Sequence, residues 1–211
     1  MEPLTWTGPL GELLNPLIRS VTFVFLIAIA VQVVAIIALP RARGFNPDGT
    51  IQIHFLTNII NLGVRYSLYT FIILLILYLV IGATLGASSL GIIGGISRQL
   101  LPIWVSMVVI FTGSIIFKRR LGLYGKLFDS PIGMTGFALV IFWVLITVLA
   151  GGLDLVVTHD ELSQVSGMKN KLPGTPVRGA EAGEYAHYLL GGDNLARDVF
   201  SRAIKGSAIV I

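Results

Sequence analysis

The chain is patterned in long apolar runs separated by short polar segments. Uncharged stretches of 21, 32, 19 and 24 residues lie between Arg19 and Arg41, Arg65 and Arg98, Arg98 and Lys118, and Asp129 and Asp154. A hydrocarbon core about 30 Å thick takes roughly 20 apolar residues at 1.5 Å per residue, so each stretch is long enough to cross. The pattern predicts spans over about 21–39, 67–87, 100–117 and 133–153. Ahead of them, Trp6 and the prolines Pro3, Pro9 and Pro16 predict an interrupted interfacial lead rather than one helix. Pro40 with Arg41 and Arg43 closes span one. In Ile51–Arg65, His54, Thr57, Asn58, Asn61 and Arg65 recur every three or four positions. Ile51, Phe55, Leu56, Ile59 and Leu62 cover the other face, which predicts a helix lying in the interface and leading into span two. The Gly-rich stretch Gly86–Gly95 reads as a tight turn, with Gly82/Gly86 and Gly91/Gly95 as small-residue steps that permit close helix contact. After Gly151-Gly152 the character changes: charges return and Pro and Gly punctuate a water-exposed segment. The fold class expected is all-α: a polytopic helical membrane protein of about four transmembrane helices, with an extracytoplasmic segment leading into a further span cut short at Ile211.

Composition sharpens this picture. Apolar residues make up 55% of the 211 and charged residues 12%, with a mean hydropathy of +0.85, where a soluble domain carries about 25% charged residues. The net charge of +4 does not point to nucleic acid, because no basic run exceeds Lys118-Arg119-Arg120. In a membrane chain, Lys and Arg instead set orientation by collecting on the inner side. With the N-terminus outside, the inner loops hold seven (Arg41, Arg43, Arg65, Lys118, Arg119, Arg120, Lys126) against four outside (Arg19, Arg98, Lys169, Lys171). Residues 44–50 and 118–128 are therefore expected inside, and 88–98 and 158–185 outside. The first apolar run starts about twenty residues in and lacks a basic lead, so a cleavable signal is not expected. Cys is absent, which excludes disulfides and thiolate metal sites.

The candidate chemistry is sparse. Gln32, near the centre of span one, is read as an interhelical hydrogen-bond partner rather than a substrate contact. His159-Asp160-Glu161 places three ligand types in a row, but adjacent positions rarely converge on one metal ion. His187, three residues after Glu184, reads as a solvated surface pair. Ser201 has no His or Lys in a nucleophile arrangement, and Gly191-Gly192 follows no strand that would make a phosphate loop. No catalytic residue, metal or cofactor is expected, and the chain is not expected to be an enzyme.

The most informative segment runs from Leu190 to Ser207. Gly191-Gly192 breaks the chain and Asp193 reads as the N-cap of a helix through Lys205. Asp198 and Arg202 form an acid-before-base i, i+4 pair, as do Asp193 and Arg197. Leu195, Val199 and Ala203 share one face, with Phe200 and Ile204 beside them. The order of residue types resembles the segment LGTD-x-x-GRD-x-x-SR-x-x-x-G that opens the transport domain of the dipeptide/oligopeptide/nickel ABC-importer permeases, in the second of their two membrane subunits. Leu190, Gly191, Asp193, Arg197, Asp198, Ser201, Arg202 and Gly206 match in place. Gly192 stands where Thr is usual, Ala196 where Gly is usual, and Ala208 where Arg is common. Lys118–Lys126 before the fourth span and the long loop closed by His187 follow the same order.

The resemblance divides the chain into an additional membrane block over 1–117, a basic lead and first permease-type span over 118–153, an extracytoplasmic loop over 154–190, and the start of the transport domain over 191–211. It implies a structural or gating role for the matching residues. It further implies a bacterial inner-membrane location, a second permease subunit, two ATPase subunits that hydrolyse the ATP, and an extracytoplasmic solute-binding protein. The ATPase-coupling loop of such permeases is expected beyond Ile211. Spans alone would equally suit a non-transporting anchoring or interaction protein in the bilayer.

Overall fold

The computed structural model describes residues 1–38, 55–180 and 186–210. His54, Arg41, Arg43, Glu184 and the loop 44–50 lie outside them. The described chain is mostly helical. Three helical stretches are long and apolar enough to cross a membrane, with a fourth if one bent pair counts as a single span. It forms two compact units, Leu10–Val80 and Met1–Pro9 with Ile81–Ile211.

Two helices supply the first unit. Helix α1 (Gly8–Ala38) runs straight through Pro16, so the interrupted lead expected from the prolines is not found. Pro9 stands in the first turn, where its missing N–H costs nothing. The backbone hydrogen bond that Pro16 removes is tolerated, as it commonly is in apolar membrane helices. Helix α2 (Phe55–Leu85) is likewise one continuous helix, so residues 55–65 are its first turns and not a separate interfacial element. The polar side chains of those turns find work there: Gln32 Nε2 donates to Asn61 Oδ1 at 2.8 Å, the interhelical bond expected of Gln32. Phe25 stacks on Phe71 further along, with centroids 6.2 Å apart. Gln32→Ala is expected to weaken the α1–α2 pair by about 0.6–2 kcal/mol, read as a shift in the unfolding midpoint in mixed micelles.

In the second unit, the Gly-rich stretch is a helix rather than a turn. Helix α3 (Ala87–Gln99) contains a break at Leu90 and Gly91, and it meets α4 (Leu101–Ile116) at a bend of 58°. The expected span over 100–117 is therefore the second arm of a bent pair. The break exists because the first residues of the chain pass through it. Ile92 N–H donates to Thr5 O at 3.0 Å and Ile93 N–H to Trp6 O at 3.2 Å, while Leu4 N–H donates to Gly174 O at 2.9 Å. Gly91 sits at φ +57°, and a Cβ there would overlap the Thr5 carbonyl.

Helix α4 returns as α6 (Pro131–Ile146) through a compact connector made of a turn at Lys118–Arg120, α5 (Leu123–Lys126) and a turn at Leu127–Asp129. Ser130 Oγ caps α6 by accepting from Gly133 N–H at 3.4 Å. Phe111, Tyr124, Phe128 and Phe137 pack as one ring cluster with centroids 5.4–5.9 Å apart. Tyr124 OH is 2.8 Å from Ser114 Oγ. Helix α6 continues as a π-helical turn, Thr147–Gly152. Large apolar side chains such as Ile37, Ile73, Val108 and Val140 stay exposed on α1, α2, α4 and α6. Exposed apolar surface on that scale calls for a non-aqueous neighbour, which a bilayer provides.

The tail after Gly152 is folded, not merely solvated. It carries a short ladder of β1 (Thr175–Pro176) against β2 (His187–Tyr188) and ends in α7 (Val199–Val210). Val156, Leu189, Phe200 and Ile204 join Leu100, Ile103, Ile146 and Ala150 in a buried core. The tail therefore sits on the ends of α4 and α6.

Candidate functional site

The motif residues meet where the tail enters α7, and the chain brings them there by a series of backbone crossings. Asn170 N–H donates to Asp193 O at 2.9 Å, Gly192 N–H to Lys171 O at 3.0 Å, and Val199 N–H to Gly191 O at 3.1 Å. Gly191 (φ +82°) closes against Lys171, where a Cβ would overlap the carbonyl oxygen. Leu190 packs at the edge of the core. Gly206, in α7, has open space where a Cβ would go.

Asp193 organises the first half of the junction. Its Oδ1 accepts from Leu195 N–H at 2.8 Å and Arg197 N–H at 2.9 Å, folding 193–197 into a tight turn. Its Oδ2 accepts from Arg197 Nε at 2.9 Å and pairs with the Arg202 guanidinium. Desolvation pushes the Asp193 carboxyl up, but these donors and the Arg197 charge outweigh it and hold the group well below the usual carboxylate range. The helix accordingly starts after this turn, at Val199, and not at Asp193.

Asp198 organises the second half and is fully buried. As N-cap of α7 its carboxylate accepts from Phe200 N–H at 3.2 Å and Ser201 N–H at 3.3 Å. It also accepts from Ser201 Oγ at 2.6 Å, Thr158 Oγ1 at 2.8 Å and His159 Nδ1 at 3.2 Å. Burial pushes this carboxyl up, yet the His159, Ser201 and Thr158 hydrogen bonds bring it below its ordinary value. The expected Asp198–Arg202 pair does not form, because Asp198 turns inward as the cap and Arg202 reaches Asp193 instead. The buried face of α7 differs as well: Phe200, Ser201, Ile204 and Ser207 point inward, while Ala203 and Leu195 are exposed.

Thr158 and His159 were not legible as partners of the motif, since they lie about forty residues upstream. Tyr188 completes the wall. Its ring meets His159 edge-on at 4.9 Å and its OH donates to Ala196 O at 3.3 Å. Burial, and then the Asp198 and Asp193 charges, push its phenol up. His187, expected in a solvated pair with Glu184, donates from Nε2 to Glu2 O at 3.2 Å.

The polar side chains of the junction are largely engaged with one another. Ser201 spends its hydroxyl proton on Asp198 and accepts from the His159 backbone N–H at 3.0 Å. Among the described residues no group of three His, Cys, Asp or Glu side chains could hold a metal ion. Arg202 is almost half exposed, and Asp193 keeps Arg197 and two backbone donors without it. Arg202→Ala is therefore expected to move the thermal unfolding midpoint only slightly, whereas Asp193→Ala removes the turn and lowers it clearly.

The fold and this junction define the class: an all-α, multi-pass membrane protein whose folded tail is locked onto the ends of its helices. Comparison of the chain with family profiles, with characterised proteins and with solved structures finds no match.

Proposed function

We propose that the chain is a transmembrane permease subunit of an ATP-driven importer for peptides or related small solutes. The observation that carries this reading is the convergence of the motif. Asp193, Arg197 and Arg202 form one hydrogen-bonded group and Asp198 and Ser201 an adjoining one, both at the joint between the tail and α7. A generic amphipathic helix approaching a membrane does not need a fully buried carboxylate with five donors. A subunit that passes movement from an outer loop to a membrane helix does need a stiff joint at that point.

In this reading the protein acts in a bacterial inner membrane with a second permease subunit, two ATPase subunits and an extracytoplasmic solute-binding protein. ATP is hydrolysed by the partners. The test is affinity isolation of the tagged protein from its native membranes, together with uptake of a radiolabelled dipeptide. An ATPase pair should co-purify, and uptake should fall on gene disruption and in an Asp198→Asn strain matched for membrane abundance. Isolation without any ATPase, with unchanged uptake of peptide-class solutes, would refute the proposal.

A further inference from the structure

The connector between α4 and α6 has two unlike faces. One packs inward through Phe128 and the buried Gly125, on the ring cluster with Phe111 and Phe137. The other projects Leu123, 82% exposed, with Leu121 and Leu127 each about 39% exposed. Arg119, Arg120 and Lys126 are exposed on the same short loop. Between Phe117 and Ser130 there are four basic residues and one acid, Asp129, and that acid is paired with Lys118. Three cations are left facing outward beside a projecting leucine.

The position of this face decides what meets it. The connector joins the adjacent ends of two strongly apolar helices, so it lies at a bilayer surface. There, aliphatic side chains reach the acyl boundary while Lys and Arg reach the phosphates. Two neighbouring arginines suit phosphodiester oxygens, which they bind through paired N–H groups.

We propose that this connector is a docking site for anionic phospholipid headgroups, with Leu123 as its apolar anchor and Arg119, Arg120 and Lys126 as its phosphate contacts. The inference goes beyond the importer reading and holds whether or not the protein conducts solute. It also differs from a sidedness signal, because it requires local enrichment of anionic lipid over zwitterionic lipid.

The chain has no Cys, so a single Phe117→Cys, at an exposed position beside the connector and outside the proposed contacts, carries a bimane fluorophore without competition. The full chain is reconstituted in phosphatidylcholine vesicles doped equally with spin-labelled phosphatidylglycerol or spin-labelled phosphatidylcholine. A basic residue at an anionic surface contributes a factor of about five, so the phosphatidylglycerol probe should quench at least roughly fivefold more effectively. R119Q/R120Q/K126Q, all at exposed positions, should bring the two probes to parity. K169Q/K171Q, in the tail, should leave the preference intact. Equal quenching by both probes in the Phe117→Cys chain would overturn the site. So would a preference that survives the triple substitution or vanishes in K169Q/K171Q.

Discussion

Asp198→Ala is expected to lower the stability of the protein by about 3–5 kcal/mol, measured as the free energy of unfolding in mixed micelles. The substitution removes the α7 cap and takes the acceptor from the buried Ser201 hydroxyl and the Phe200 and Ser201 N–H groups, and from the half-buried Thr158 hydroxyl and His159 Nδ1–H. Each buried donor left without a partner costs about 1–3 kcal/mol. Losing one member of a buried charged network costs about 3–5 kcal/mol in total. Asp198→Asn keeps the shape and one acceptor oxygen, and should fall between the parent and the Ala variant. The acid limb of the stability curve carries the same signature. The folded-state value of Asp198 is depressed, so its contribution is complete above the ordinary carboxylate value of 3.8. It is lost as pH falls through the lower folded value. Asp193 acts in the same direction. The Asp198→Ala protein should show a shallower loss of stability on acidification than the parent.

Gly91→Ala is expected to do comparable damage for a different reason. At φ +57° a side chain is strained by about 1–3 kcal/mol wherever it sits. Here its Cβ would also overlap the Thr5 carbonyl and come within 2.8 Å of Gly8 N, backbone atoms with no rotamer to escape into. Overpacking of that kind adds about 1–3 kcal/mol. The lesion should be local first. The bonds from Ile92 and Ile93 to Thr5 and Trp6 should open, and protease should reach the first residues of Gly91→Ala before global unfolding. Slow cleavage at the parent rate would show that the N-terminal segment is not held as described.

The spans were legible because a bilayer imposes a length, and gaps of about twenty uncharged residues reveal it without any tertiary knowledge. Their ends were less legible. Pro16 and the polar turns over 55–65 looked like boundaries, yet a helix in an apolar setting continues through both once Gln32 and Asn61 satisfy each other. The Gly-rich stretch was read as a turn because the segment threading it, Thr5 and Trp6, lies some eighty-five residues earlier. The joint at α7 was half legible. Ser201 came only from the family resemblance, while local spacing found Asp193, Arg197, Asp198 and Arg202 and paired Asp193 with Arg197, as observed. It could not tell which carboxylate turns inward, because Thr158 and His159 decide that from a distant segment.

The first nine residues also constrain how many times the backbone passes through the bilayer. They hydrogen-bond to residues 92 and 93 and again to residues 174 and 187, so all of these lie on one side. An even number of passages must therefore separate Pro9 from Ile92, and α1 and α2 supply two. An even number must also separate Ile93 from Gly174. Gly133–Gly152 offers one of these, and the bent α3–α4 pair offers another. Counting that pair as one span makes four stretches long and apolar enough to cross. Thiol reporters at Leu123→Cys and Leu162→Cys should accordingly label from opposite faces of a sealed vesicle.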